Sequence, residues 1–263
     1  MILRRLGNKQ AIAHKIIPYF PPHKIYIEPF FGAGGMFFNK PKAKYNIVND
    51  LDSDVFNLFM VVMNQKEELK KAFYMMPIHS DLLEYWKKNK ETDPIKKALR
   101  FLLLSNFGYM GMPKTLHLKD SNAKQICYNY IDKTFEYLSG IDGFDIKFSN
   151  SDFRKFLKNI VSIKQTPEDC FIYCDPPYLR AGDNYSNSFT EQDSIDLFDC
   201  LQATGCKFAM SEFDHPFILQ QAKERGLNVH IIGERKNLKN RRTEILITNY
   251  RNNPTLFYVP FEK

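Results

Sequence analysis

The chain has 263 residues, 44% of them hydrophobic and 25% charged, and its formal net charge is +7. That is the make-up of one large soluble domain, or of one domain with an insertion. No apolar run approaches the length of a membrane span, and "MILRRLGNKQ" lacks a signal-peptide core, so a cytoplasmic protein is expected. The five cysteines are odd in number and form no C-x-x-C pair, which argues against a disulfide framework or a zinc site. The basic balance suits a polyanionic partner, because Lys and Arg release counterions when they neutralise phosphates.

In chain order, "KIYIEPF" is a short apolar strand ending at Glu28, and "GGMFFNK" after it reads as a helix start. "KYNIVND" is a second strand, ending in Asp50. From about Ser53 to Tyr137 the pattern is helical and charged, with "DVFNLFMVVMNQKEELKKAF", "SDLLEYWKKNK" and "DPIKKALRFLLLSNFGYMG". "FDIKFSNSDF" is a third strand leading to Asp152, and "CFIYCDPPY" a fourth ending in Asp175. "KFAMSEF", "LNVHII" and "EILITNY" supply the rest, with helical "EQDSIDLFDCLQA" and "PFILQQAKERG" among them. Strands alternating with helices predict an α/β fold, a doubly wound and mainly parallel seven-stranded sheet. Residues 53–137 form a helical insertion, and 1–52 with 138–263 form the discontinuous main domain. Ligands of such sheets sit at the carboxyl ends of the strands, where Glu28, Asp50, Asp152 and Asp175 fall.

In "EPFFGAGGMFFN", Gly32, Gly34 and Gly35 allow a tight turn and close approach of a ligand. It is not a dinucleotide fingerprint, because Phe37 stands where a third glycine is needed, and no G-K-[ST] follows to make a Walker loop. Asp50, about 18 residues beyond Gly32, has the spacing of a carboxylate that grips ribose hydroxyls. A nucleoside-bearing cofactor without a pyrophosphate suits the pair; the alternative for Asp50 is a helix N-cap, a task open equally to Asp52 or Ser53.

"FIYCDPPYLR" ends a strand on a carboxylate. The residue before a proline is held extended, and Pro176 and Pro177 carry no N–H. A carboxylate, unmatched carbonyls and the Tyr178 ring fit a planar base bearing an exocyclic amine. The acceptors take the amine protons and free the nitrogen lone pair, so Asp175 orients the amine and stabilises its growing positive charge. A plain Asp-Pro turn with a surface tyrosine is the alternative.

With these residues in this order, the sequence resembles the D12-class DNA adenine-N6 methyltransferases, the group that includes Dam-type enzymes. "LGNKQ" looks like the family's N-terminal cofactor motif, "EPFFGAG" like its S-adenosylmethionine loop, "VNDLDSD" like its ribose-binding strand end, and "NSDF" and "DPPY" like its third and catalytic motifs. The resemblance spans about residues 4 to 250. It implies a Rossmann-like methyltransferase sheet with a target-recognition insertion, and S-adenosyl-L-methionine as cofactor. Lys9 would then contact the methionine end of the cofactor. Phe30, Gly32 and Gly34 would line its loop, Asp50 would hold its ribose, and Asp152 and Phe153 its adenine. Asp175 would touch both cofactor and target, with Pro176 and Tyr178 holding an adenine flipped out of the duplex.

Two departures stand out. Arg5 occupies the place of a family aromatic, where its planar face could cover the cofactor. "SNFGYMGMPKTLHLKDSNAKQICYNYI" continues without the hairpin of many GATC-specific members, and the family's base-reading arginine position falls near Lys114, so GATC is not expected. Phe107, Tyr109 and Lys114 are candidate DNA contacts, with packing on the core as the alternative for the two aromatics. Arg235, Lys236, Lys239, Arg241 and Arg242 form a basic run on the expected DNA side, against the alternative of a solvated charge run. The expected reaction is direct methyl transfer to adenine N6 in double-stranded DNA, without metal, by a protein whose partners are DNA and a possible cognate restriction endonuclease. Transfer to cytosine N4 or RNA adenine, and a catalytically silent DNA-binding subunit, are the rivals.

Overall fold

The computed structural model describes residues 2–3, 7–77, 79–108, 123–139, 145–161, 166–179, 189–236 and 241–251. Its strands are β1 (Ile25–Glu28), β2 (Tyr45–Asn49), β3 (Asp145–Ser149), β4 (Cys170–Cys174), β5 (Lys207–Phe213), β6 (Asn228–Lys236) and β7 (Arg241–Thr248). They form one 7-stranded sheet in the order β3-β2-β1-β4-β5-β7-β6. β1 to β5 pair in parallel, and β7 runs antiparallel between β5 and β6. This is the doubly wound, mainly parallel sheet expected from the sequence.

β1 and β4 lie at the centre and are buried along their whole length. Their continuous apolar runs follow from cover on both faces. Side chains alternate between two core clusters. Tyr26, Phe171 and Tyr173 belong to one, and Ile25, Ile27, Ile172 and Cys174 to the other.

Between β2 and β3 run α2 (Ser53–Asn64), α3 (Lys66–Met75), α4 (Ser80–Lys88), α5 (Pro94–Phe107) and α6 (Ala123–Leu138), preceded near the N-terminus by the short α1 (Ala13–Ile16). Leu58, Phe59, Phe73, Leu102 and Ile131 from these helices share the first cluster with the sheet. The opposite face is covered by α7 (Phe153–Val161), α8 (Glu191–Ala203) and α9 (Pro216–Glu224), through residues such as Leu157, Phe198 and Ile218. Among the described residues no helix is long and apolar enough to cross a membrane.

Two local expectations change. The long helical run after Asp52 breaks at Gln65, whose φ of −141° ends α2 and leads into α3. "GGMFFNK" forms successive turns instead of a regular helix, with Phe38 N–H donating to the Gly34 carbonyl at 3.0 Å and Lys40 N–H to that of Met36 at 3.0 Å. The reason is local: Gly34 sits at φ +72°, and Pro41 biases Lys40 away from helix.

Candidate active site

The site forms where the loops after β1, β2, β3 and β4 meet. Asn49, at the end of β2, ties three of them together. Its Nδ2 donates to the carbonyls of Pro29 at 3.0 Å and Ser151 at 2.9 Å, and its own carbonyl accepts from Phe31 N–H at 2.9 Å. Gly32 then turns at φ +54°, and its N–H donates to Asp50 Oδ2 at 2.6 Å. The other Asp50 oxygen accepts from Asp52 N–H at 2.8 Å. The N-cap of α2 is Asp52, which accepts from Asp54 N–H, so Asp50 is not needed for that task.

The glycines have distinct reasons. No described atom lies within 4 Å of the place where a Cβ on Gly32 would stand, so the backbone is open to a ligand there. At Gly34 a Cβ would lie 2.9 Å from the Phe31 ring and closer still to Phe38. At Gly35 it would overlap the Asn8 side chain and come within 2.9 Å of the Lys9 nitrogen. The N-terminal segment therefore packs directly on the loop, which is how Lys9 reaches the site.

Beside β3, Asp152 Oδ1 accepts from Arg154 N–H at 2.8 Å at the start of α7. The Arg154 guanidinium also pairs with Asp152, with Asp193 at 2.5 Å and with Asp196 at 2.7 Å. Gln192 and then Arg154 hold the Asp196 carboxyl below its usual range, and at Asp193, where burial pushes the other way, Arg154 and Thr190 together do the same. Phe153 lies 5.5 Å from Phe30 and 5.9 Å from Phe189, ring centre to ring centre, and Phe30 and Phe189 meet edge-on at 6.2 Å. These three rings make an apolar wall next to the Gly32–Asp50 turn.

The end of β4 has a different character. Asp175 is 21% exposed, and its Oδ1 lies 2.9 Å from Lys9 Nζ. Lys9 is almost fully buried; it also pairs with Glu244 Oε1 at 3.1 Å and donates to the Tyr178 hydroxyl. That hydroxyl in turn donates to Glu244 Oε1 at 2.5 Å. The Tyr178 ring is buried, edge-on against Phe213 at 4.5 Å, with the Lys9 ammonium 4.4 Å from its centre. Burial pushes the Asp175 carboxyl up from its ordinary value, and Lys9 opposes that shift. Glu212, at the end of β5, accepts from Phe213 N–H at 2.8 Å and Leu179 N–H at 3.4 Å. Burial raises its pKa to about 8. Glu28 is buried beneath the loop, accepts from Tyr26 Oη at 2.8 Å, and is likewise pushed up by burial.

The structure thus brings together Lys9, Phe30, Gly32, Gly34, Asp50, Asp152, Phe153, Asp175, Pro176 and Tyr178. Lys9, expected at the methionine end of a cofactor, has its three donors met by Asp175, Glu244 and Tyr178. Tyr178, expected as a displayed ring, is packed with its hydroxyl inside the charged cluster. Phe107 corrects one expectation: it is 5% exposed at the end of α5 and lies in the first core cluster, so it serves packing, because burying its ring outweighs display to DNA. Arg5, Tyr109, Lys114 and Lys239 lie outside the described residues, as do the side chains of Arg235, Lys236 and Arg241. The Arg242 guanidinium sits 5.3 Å from the centre of the Phe213 ring. Glu212 and Glu244 escaped sequence reasoning. Their one signal was a glutamate inside each of the apolar runs "FAMSEF" and "TEILIT", where buried charge is rare unless paired.

A doubly wound sheet with a glycine turn after β1 and carboxylates beyond β2 and β4 defines an α/β enzyme whose ligands meet at the carboxyl ends of its strands. Residues 6–246 match the family described as D12 class N6 adenine-specific DNA methyltransferase, and the chain belongs to that family. It is similar to the Type II methyltransferase M1.LlaDCHI of Lactococcus lactis subsp. cremoris, 25% identical over 94% of this chain and 93% of that protein. It is also 27% identical to the DNA adenine methylase of Escherichia coli (strain K12), over 74% of this chain and 73% of that one. Among solved structures, the rRNA methyltransferase aviRa from Streptomyces viridochromogenes superposes with a TM-score of 0.38 at 10% identity, covering 90% of this chain and 82% of its own. The protein is an adenine-specific DNA methyltransferase.

Proposed function

We propose that this site transfers the methyl group of S-adenosyl-L-methionine to N6 of an adenine flipped out of double-stranded DNA. When bound, the cofactor supplies an electrophilic methyl group on a sulfonium cation. The residues present fit it. The open backbone at Gly32 admits a ligand, Asp50 supplies a ribose acceptor, and Phe30 and Phe153 give its adenine an apolar wall beside Asp152. Lys9 pairs with two acidic side chains, Asp175 and Glu244, so one cation is shared between two carboxyl groups beside the end of β4.

Asp175 and the Pro176 carbonyl would accept hydrogen bonds from the two N6–H groups and so orient the nitrogen lone pair; the single proton that N6 gives up once it carries the methyl group would leave by way of Asp175. Lys9 holds the Asp175 carboxylate in place, and Tyr178 fixes the turn through Glu244. Burial of the cluster excludes water and strengthens each of these interactions. The observation that carries this reading is the meeting, at one end of the sheet, of the Gly32–Asp50 turn and an Asp175 anchored by a buried lysine.

Residues 53–137 are assigned to target recognition, with Tyr109 and Lys114 as contacts, and 1–52 with 138–263 to cofactor and transfer. The β6–β7 hairpin sets Arg235 opposite Arg242 and Lys236 opposite Arg241. Like charges directly opposed destabilise a sheet, and DNA phosphates relieve that cost. Lys239, which lies outside the described residues, is assigned to DNA contact with them from the sequence alone. A cytoplasmic location and a cognate restriction endonuclease complete the proposal, the latter supported by the Type II name of the lactococcal relative.

The test uses purified protein, isotope-labelled S-adenosylmethionine and unmethylated plasmid, with Asp175→Ala as control. Nucleosides from the digested DNA are identified by mass spectrometry. Labelled N6-methyladenine, absent from the control, is expected. Label on cytosine N4 would overturn the base, and cofactor binding without transfer would overturn the enzyme reading.

A further inference from the structure

Glu244 lies on β7, directly opposite Phe213 of β5, at the head of the buried apolar run Ile245, Leu246 and Ile247. It is 3% exposed. A buried carboxylate is destabilising unless paired, and a hydrocarbon side chain of similar volume would serve packing as well. Its charge is used in one place. Oε1 receives the Tyr178 hydroxyl at 2.5 Å and lies 3.1 Å from Lys9 Nζ, whose other carboxylate partner is Asp175. Oε2 is buried with no hydrogen-bond partner among the described residues, so Lys9 and Tyr178 at Oε1 alone have to offset the burial of the whole carboxylate. Glu244 therefore grips two groups that bracket the catalytic turn: the lysine on Asp175 and the hydroxyl on Tyr178.

We propose that Glu244 is a positioning residue for methyl transfer, holding Lys9 and Tyr178 so that Asp175 keeps one orientation toward the substrate amine. The inference rests on the role of Asp175 proposed above. Three strands converge on this arrangement: Asp175 directly follows β4, β5 carries Glu212 and Phe213, and β7 supplies Glu244. Glu244 has no cofactor or base of its own to touch in this role; it acts through its two partners.

The charge of Glu244 also bears on the titration of Asp175. Asp175 is faced by Lys9 and Tyr178, by Glu28 of β1, by Tyr173 and Cys174 of β4, by Glu212 of β5 and by Glu244 of β7. The negative charge of Glu244 raises the Asp175 pKa, whereas Lys9 lowers it. Glu244→Gln keeps an acceptor for the Tyr178 hydroxyl, removes the charge, and leaves Lys9 to Asp175 alone. Both changes favour ionised Asp175, so the acid limb of activity moves to lower pH.

The experiment measures kcat and KM for plasmid methylation across pH for the wild type and Glu244→Gln, with cofactor binding by calorimetry and thermal melting in parallel. The expected result is a kcat lower by about 10- to 100-fold, the size of effect that misplacing a reacting group produces. KM values and cofactor affinity should change little, and the acid limb should shift downward. An unchanged kcat and acid limb would overturn the inference. So would a variant that neither melts cooperatively nor binds cofactor, because that would make Glu244 a residue of stability. Failure of the wild type itself to label adenine would instead sink the functional reading, and the two failures are distinct.

Discussion

The two halves of the site hold their carboxylates in opposite ways. On the side of β2 and β3, Asp50 and Asp152 are anchored by backbone N–H groups from their own or adjoining loops. On the side of β4, β5 and β7, Asp175 and Glu244 share one buried lysine that comes from the other end of the chain. The first half is a set of local turns whose carboxylates are held by donors close to them in sequence or in the adjoining loop. The second is a desolvated charge cluster, in which each member's state depends on the others. Holding a cofactor's neutral sugar needs only aimed acceptors, whereas stabilising charge that develops during transfer needs a dry, preorganised field.

If the halves divide the work in this way, their variants separate. Asp175→Ala should show the largest effect, a loss of transfer by more than about 1000-fold with cofactor affinity nearly retained, measured by single-turnover labelling and calorimetry. Equal loss of both would merge the halves. Asp50→Ala should do the reverse. The KM for S-adenosylmethionine should rise about 10- to 100-fold, as expected for lost hydrogen bonds to a charged acceptor, with kcat changed far less.

Glu212 sharpens the comparison through stability. Its folded pKa of about 8 lies above the usual 4.5, so the native state holds its proton more tightly than the unfolded chain. The stability it contributes is present below the unfolded pKa and is lost as pH rises through about 8. Denaturant melts across this window should show a fall in the wild type that Glu212→Gln flattens. An unchanged slope would place Glu212 outside the desolvated cluster. The smallest effect belongs to the hairpin. Arg241→Ala with Arg242→Ala should make the salt dependence of DNA binding shallower by about 2 in log–log slope. A slope equal to that of the wild type would return the pair to a solvated surface.

Much of the fold was legible because each strand is a short apolar run between turns. α8 coincides with "EQDSIDLFDCLQA" residue for residue, and its start is marked by the Thr190–Asp193 capping box. Asp50 and Asp175 were legible for a similar reason, since a glycine turn and a Pro-Pro step announce them locally. Lys9 was named without its protein partners Asp175, Glu244 and Tyr178, and Glu212 and Glu244 were not named at all. Their meaning lies in partners 33 to 169 residues away, and no periodicity reports which strand lies beside which. Phe107 was ambiguous because an aromatic at a helix end serves a core or a surface equally well until packing chooses.

The sequence by itself determined the alternation of strands and helices, the glycine turn and the carboxylate at the end of β4, because backbone geometry at Gly and Pro is set within a few residues. Tertiary structure alone decided that β7 inserts between β5 and β6, that the N-terminal segment folds onto Gly35, and that Lys9 and Glu244 meet under Tyr178. These are contacts of long sequence separation, fixed by burial and charge pairing in three dimensions.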